Sequence, residues 1–181
     1  MEDFQVRQAI SSDIVSLTTI DPSYSTEYVW QMGFRSGAEE FEITFREVRL
    51  PRPMRVTYPR NPSLLVDQWT SFSALFIAQS DSEALGYLCM VSGPAPGSQW
   101  ITDLVVSLAR RRQGIGSRLV QAARGWSVER GCQRLYLEMQ SKNHPASALA
   151  RRLGFSFAGY SDRYYPDQDI ALFYALELSK A

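Results

Sequence analysis

The sequence predicts one α/β domain of the α+β kind, with a mixed, mostly antiparallel central sheet and helices on both faces. Two observations lead there. The first half of the 181 residues is rich in strand patterns, and the second runs strand, helix, strand, helix, strand, strand. In addition, 45% of the residues are apolar, ample for one core, so residues 1–181 need no second domain.

In chain order, Phe4 to Gln8 reads as a strand, and Ser11-Ser12-Asp13 opens a helix with Ile14, Leu17 and Ile20 on one face. A second short helix is expected over Glu27 to Met32. Ile43, Phe45, Val48 and Leu50 mix with Thr44, Arg46 and Glu47 in near alternation, which predicts a strand from Glu42 to Leu50. Prolines at 51, 53, 59 and 62 break every period from Pro51 to Ser71, so this stretch reads as a long connection or edge segment outside the core. Ala74 to Gln79 and Ala84 to Ser92 form a hairpin around the polar turn Ser80-Asp81-Ser82-Glu83, and Pro94 to Ser98 leads into a strand from Trp100 to Ser107. The helix over residues 114–130 carries Ile115, Leu119, Ala122, Ala123 and Trp126 on one stripe and ends at Gly131. Arg134 to Met139 is the next strand, Pro145 to Leu153 a short helix stopped by Gly154, and Phe155 to Tyr160 and Ile170 to Leu178 are the last strands.

Lys plus Arg and Asp plus Glu number 19 each, so the net charge is zero and no broad basic field is available for nucleic acid. Met1 to Arg7 lacks a signal-peptide core, and no long apolar run occurs, so no membrane partner and a cytoplasmic location are expected. Two cysteines, Cys89 and Cys132, and one histidine, His144, give no metal-ligand spacing, and neither a metal nor a structural disulfide is expected.

The segment Arg111-Arg112-Gln113-Gly114-Ile115-Gly116 lies between the apolar run Ile101 to Val106 and the start of the helix. First-turn N–H groups of a helix lack intrahelical partners, glycines let the main chain approach an anion, and the helix dipole and arginines favour negative charge there. The segment therefore outlines a pyrophosphate cradle, although taken alone it also fits a solvated basic turn. A Walker loop would need Gly-Lys-Ser/Thr and a dinucleotide fingerprint a third glycine where Leu119 stands, so neither applies.

Together with this loop, Asp103-Leu104-Val105-Val106, Leu135-Tyr136-Leu137-Glu138, Asn143-His144-Pro145-Ala146 and Arg151-Arg152-Leu153-Gly154-Phe155 resemble the GNAT superfamily of acyl-CoA-dependent N-acetyltransferases. Ile20-Asp21-Pro22-Ser23-Tyr24 and Phe45-Arg46-Glu47-Val48, followed by the proline-rich segment, are similar to streptothricin acetyltransferases. The resemblance implies a splay between the fourth and fifth strands of the sheet, those carrying Asp103 and Glu138, with acetyl-CoA as co-substrate in the cleft. It implies that main-chain groups of Leu104, Val105 and Val106 pair with the pantetheine arm. Arg111, Arg112, Gln113, Gly114, Ile115, Gly116 and Ser117 would hold the pyrophosphate. Asn143 would contact the pantetheine arm from the far side, and its own position also makes it a cap for the helix at Pro145.

The amine must attack as its free base, and deprotonating a lysine-type amine at pH 7 costs roughly 4 to 5 kcal/mol. By resemblance Glu138 is the first candidate base and Asp103 the second, either acting directly or through water. A main-chain N–H near Val106 would hold the oxyanion. Ala150 stands where many family members carry a tyrosine that protonates the leaving thiolate; Tyr164 or Tyr165 could supply a phenol if the last hairpin folds over the cleft, and Tyr165 is taken as the candidate. His144 reads as a helix start rather than a catalyst, and Glu39, Glu40 and Glu42 as a solvated turn that could attract a cation.

The expected function is acetyl transfer from acetyl-CoA to a primary amine of a small cationic molecule, such as a streptothricin-like antibiotic or an amine metabolite. The alternatives are a protein or peptide N-acetyltransferase and a CoA-binding module with weak or no turnover. A covering role for Pro51 to Ser71 would favour the small molecule. Exposed strands leave room for a homodimer.

Overall fold

The computed structural model describes residues 4–81 and 83–178; the acidic start Met1 to Asp3 and Ser82 of the expected turn lie outside them. Thirteen-residue β2 (Tyr24–Ser36) and sixteen-residue β3 (Phe41–Val56) form a separate two-stranded hairpin. The other strands are β1 (Gln5–Gln8), β4 (Ala74–Ser80), β5 (Glu83–Ser92), β6 (Ser98–Val106), β7 (Arg134–Gln140), β8 (Ser156–Ser161) and β9 (Ala171–Glu177). They make one sheet in the order β1-β4-β5-β6-β7-β9-β8, in which only β6 and β7 run parallel.

Helices α1 (Ile14–Thr18) and α2 (Leu65–Gln68) lie on one face and α3 (Ile115–Glu129) and α4 (His144–Arg152) on the other. Two-residue alternation in β4 and β5 supplies both cores. Leu75, Ile77, Tyr87 and Cys89 meet Ile14, Leu17 and Leu65, whereas Phe76, Ala78, Leu88 and Met90 meet Ile115, Leu119 and Ala123. Strands buried on both faces read as unbroken apolar runs, which is how β4 and β5 appear in the sequence. Both cysteines are free thiols, and among the described residues no group of three or more His, Cys, Asp or Glu could hold a metal ion. Among them, too, no helix is long and apolar enough to cross a membrane.

Three expectations are corrected. Glu27 to Met32 is not a helix but the middle of β2, where Tyr28, Val29 and Trp30 pair with Arg49, Val48 and Glu47. Aromatic and β-branched residues favour a pleated surface once a partner strand exists, and the partners of Tyr28 to Met32 lie 13 to 21 residues away. Nor does the strand predicted from Glu42 end at Leu50. It runs to Val56 through Pro51 and Pro53, which fall where the register shifts between Thr26 and Tyr28 and no ladder bond needs an N–H. The rest of the proline-rich stretch is also less peripheral than expected, since Leu65 is buried and Tyr58 and Trp69 pack against the α1 side of the core.

The hairpin is fastened to the body by specific contacts. Trp30 N–H donates to Ser141 O at 3.0 Å and its indole Nε1 to Ser147 Oγ at 3.1 Å, while Phe45 packs on Phe157 and Tyr160. Glu39 and Glu40 end up exposed at its far turn, and Glu42 faces Arg35 beside that turn.

Candidate active site

The sheet opens between β6 and β7, its fourth and fifth strands in spatial order. Their pairing stops at Ile101↔Leu137, and the next residue of β6, Thr102, is the extra residue of a bulge against β5. A bulge bends its strand, so the two parallel strands diverge from this point. Asp103 and Glu138, one on each strand just past the last pair, are both buried at 7% and 6% exposure.

Beyond the bulge, β6 has main-chain groups that no strand takes. Ser107 N–H donates to Leu85 O, so by strand alternation Val105 also turns its N–H and C=O to β5, while those of Leu104 and Val106 face the opening. The three residues proposed from sequence therefore divide: Leu104 and Val106 present main chain to the cleft, and Val105 buries its side chain against α1 and its backbone in the ladder.

At the head of the cleft the chain turns through Leu108–Arg110 into the glycine loop. Arg112 (φ 65°) and Gly114 (φ 86°) both adopt the left-handed region, and a Cβ built on Gly114 would meet nothing within 4 Å. The loop thus brings bare backbone to open space in front of the first turn of α3, the geometry a diphosphate needs. Gly116 serves packing as well, since its Cβ would lie 3.4 Å from Leu149 of α4. Arg112 and Gln113 are exposed, Ile115 anchors the helix in the core, and Ser117 Oγ accepts from Arg152 at 3.2 Å. Arg152, from the end of α4, is a cation beside this turn that position in the sequence did not single out.

Arg111 behaves differently from expectation. Its Nε donates to Val106 O at 2.9 Å and its Nη2 to Ser23 O at 2.6 Å, so its guanidinium is engaged by two carbonyls and ties β6 to the start of β2. Burial, opposed by Asp21, lowers its pKa. Asn143 caps α4, its Oδ1 accepting from Ala146 N–H at 3.1 Å.

The two carboxylates are enclosed by residues from distant segments. Tyr58 Oη donates to Asp103 Oδ1 at 3.0 Å, and Thr102 Oγ1 to Asp103 Oδ2 at 3.0 Å. Arg60 stands between the strands. Its Nη1 donates to Thr102 O at 2.7 Å and lies 3.9 Å from Asp103 Oδ1, and its Nη2 is ion-paired with Glu138 Oε1. Tyr165 Oη donates to Glu138 Oε1 at 3.2 Å and Tyr164 Oη to Oε2 at 3.0 Å, with Arg60 over the Tyr165 ring at 5.6 Å. Burial works to lower the Arg60 pKa, but Asp103 and Glu138 outweigh it and the net shift is upward. Burial first, and the charge of Asp103 or Glu138 next, push the phenols of Tyr58 and Tyr165 well above their ordinary value, so both stay protonated donors.

Tyr58 and Arg60 were missed by sequence reasoning, and the only signal for them was the proposal that residues 51–71 cover the cleft. His144 sits apart at the start of α4, with Nε2 3.0 Å from Glu47 Oε2 and its ring against Tyr28. Ala150 is fully buried in α4. A surface depression of about 600 Å³ beside Ser107 and Ala109 and one of about 480 Å³ beside Arg49 and Arg52 include neither carboxylate.

Comparison with known proteins agrees with this architecture. The model of the acetyltransferase (GNAT) family matches residues 38–155. A streptothricin acetyltransferase of Streptomyces lavendulae is 25% identical over 167 residues, 90% of this chain and 86% of that protein. N-alpha-acetyltransferase 30 of Schizosaccharomyces pombe is 31% identical over 114 residues, 61% of this chain and 75% of that one. The crystal structure of a putative streptothricin acetyltransferase from Bacillus anthracis str. Ames in complex with acetyl coenzyme A shares the fold, with a TM-score of 0.79, 20% identity and coverage of 98% and 99%.

Proposed function

The chain belongs to the GNAT family of acetyltransferases, whose donor is acetyl-CoA, and we propose that its acceptor is a primary amine on a small, cationic molecule. The observation that carries this reading is the pair of buried carboxylates at the mouth of the splay, roofed by Tyr58 and Arg60 on one side and Tyr164 and Tyr165 on the other. Two acids attract a cation, and a roof of side chains suits a compact molecule better than an extended peptide. The likeness to a streptothricin acetyltransferase over most of both chains supports the same class.

The residues fit the donor. Backbone of the loop from Arg112 to Ser117 would hold the pyrophosphate, the main-chain groups of Leu104 that face the opening the pantetheine arm, beside a Val106 carbonyl already bonded to Arg111, and Asn143 would border it at the start of α4. When bound, acetyl-CoA supplies the acyl group as a thioester: the amine nitrogen forms the C–N bond as the C–S bond breaks, and the two protons that the ammonium gives up go to the base and to the leaving thiolate.

Glu138 is the proposed base, with Asp103 beside it to hold the positive charge of the incoming amine or to take the proton in its stead. The Val106 N–H, directed into the opening, would stabilise negative charge developing on the acyl oxygen. Tyr165 holds Glu138 in place. A phenol whose ionisation is so disfavoured is a poor proton donor to the thiolate, which is itself a tolerable leaving group at a pKa near 8.5.

Thiol release measured with a panel of acceptors tests the reading. Small polycationic amines such as diamines and lysine derivatives are expected to be turned over, and peptides with free N-termini to be poor substrates. Faster turnover of peptide N-termini would refute the small-molecule assignment in favour of a protein N-acetyltransferase.

A further inference from the structure

We propose that Arg60 is a resident cation that the acceptor must displace: it stands where the acceptor's ammonium has to stand, and its departure is what frees Glu138 to take a proton. The inference rests on the acetyl-transfer reading above and adds to it a specificity-determining residue.

The carboxylate of Glu138 is nearly saturated with donors. Oε1 accepts from Arg60 and Tyr165, and Oε2 from Tyr164. A base in that state has little room for an incoming proton, so at least one donor must leave. Tyr165 is 5% exposed and packs edge-to-face on Tyr164, a 45% exposed residue of the connection between β8 and β9 that packs on Phe173, so the phenol on Oε1 is the buried one. Of the two donors on Oε1, Arg60 is the one with freedom. It belongs to the segment between β3 and α2, and its side chain is 33% exposed.

Its position is also the one the chemistry needs. Arg60 bridges Thr102 O on β6 and Glu138 on β7, the first positions past the last strand pair, and approaches Asp103 at 3.9 Å. An amine attacking a thioester that enters through the splay has to occupy this mouth. Removing the guanidinium without replacement leaves two buried carboxylates facing one cleft with no cation, which is strongly unfavourable. An ammonium restores the balance and a neutral amine does not, so the exchange selects acceptors that arrive charged. The ammonium N–H bond then breaks, its proton passes to the Oε1 lone pair that Arg60 vacated, and the nitrogen keeps the electron pair for the acyl carbon.

The test removes the resident cation and asks whether another can take its place. Methylguanidinium chloride at millimolar concentration, compared with NaCl of equal ionic strength, is expected to raise the melting temperature of Arg60→Ala and to leave the wild type unchanged, because only the variant offers a free cation site. With a diamine that the wild type acetylates, Arg60→Ala is expected to lower KM for the diamine by about threefold or more with kcat within about twofold, and Arg60→Lys to fall between. A variant whose kcat falls about tenfold at unchanged KM would make Arg60 a permanent part of the active geometry and overturn the proposal, as would absence of any methylguanidinium effect on Arg60→Ala. Should Arg60→Ala fail to fold, Arg60→Lys decides, since it keeps the charge and loses the two-pronged reach: its KM must fall for the proposal to stand. Wild-type enzyme that releases thiol with no amine at all fails the acetyl-transfer reading instead, and the methylguanidinium measurement still decides whether the place of Arg60 is a cation site.

Discussion

Replacing Gly114 by alanine separates what the glycine loop does for the fold from what it does for the donor. Gly114 has φ 86° and ψ −6°, and an added methyl would have no protein atom within 4 Å. The folded state therefore suffers only the backbone penalty of an L-residue in the left-handed region, about 1 to 2 kcal/mol. Part of this is offset by the lower chain entropy of alanine in the unfolded state, about 0.4 to 1 kcal/mol, leaving a net loss of about 1 kcal/mol. For a domain of this length that lowers the melting temperature by about 2–4 °C. The methyl nevertheless projects into the space in front of α3 where a diphosphate would rest on backbone N–H groups. Losing one such charge-assisted contact costs about 1.5 to 3 kcal/mol, so KM for acetyl-CoA should rise roughly 10- to 150-fold with kcat at saturation little changed. Thermal melts without ligand and steady-state thiol release at varied acetyl-CoA measure the two effects separately. Gly116→Ala is the control: its methyl meets the flexible end of Leu149 at 3.4 Å and a Val106 methyl at 3.9 Å, both ordinary side-chain contacts, and in the first turn of a helix alanine is favoured over glycine by up to about 1 kcal/mol. A Gly114→Ala enzyme that melts lower yet keeps its KM for acetyl-CoA within twofold would refute the cradle.

Two further outcomes follow from contacts elsewhere. Glu138→Gln keeps the size of the side chain and removes its basicity, so kcat/KM for the best amine of the panel should drop by about 10²- to 10⁴-fold, whereas full activity across pH would move the role of base to Asp103. Ser147→Ala leaves the indole N–H of Trp30 without its acceptor in a half-buried site and should cost about 1 to 2 kcal/mol, read as a lower denaturant midpoint at unchanged m-value; an unaltered midpoint would mean that the hairpin is held by apolar contact alone.

Much of the second half of the molecule was legible because its signals are local. Gly114, the stripe from Ile115 to Trp126, the stop at Gly131 and the cap at Asn143 lie within a turn or two of the structure they specify, and α3 and α4 appear within a residue or two of the expected bounds. The β2–β3 hairpin was misread because Tyr28 to Met32 chooses strand over helix only when Phe45 to Arg49 lies opposite, and because the register irregularity tolerates Pro51 and Pro53 inside a strand. Arg111 was given to the phosphate because it stands beside the glycines, yet its guanidinium is claimed by the carbonyls of Val106 and Ser23, the latter 88 residues away.

What the sequence by itself determined is the donor side of the reaction: an apolar strand, a glycine loop and a helix N-terminus form in a continuous stretch, because backbone dihedrals and helix periodicity are set by neighbours in the chain. The enclosure proposed for the acceptor is set only by tertiary structure. Asp103 and Glu138 are 35 positions apart, and the residues that hold them, Tyr58, Arg60, Tyr164 and Tyr165, come from segments before and after both of them. No local pattern marks a tyrosine or arginine for such a place. Burial of two like charges at the mouth of a splayed sheet demands donors and a cation from whatever segment packs over them, and that demand exists only after the sheet has formed.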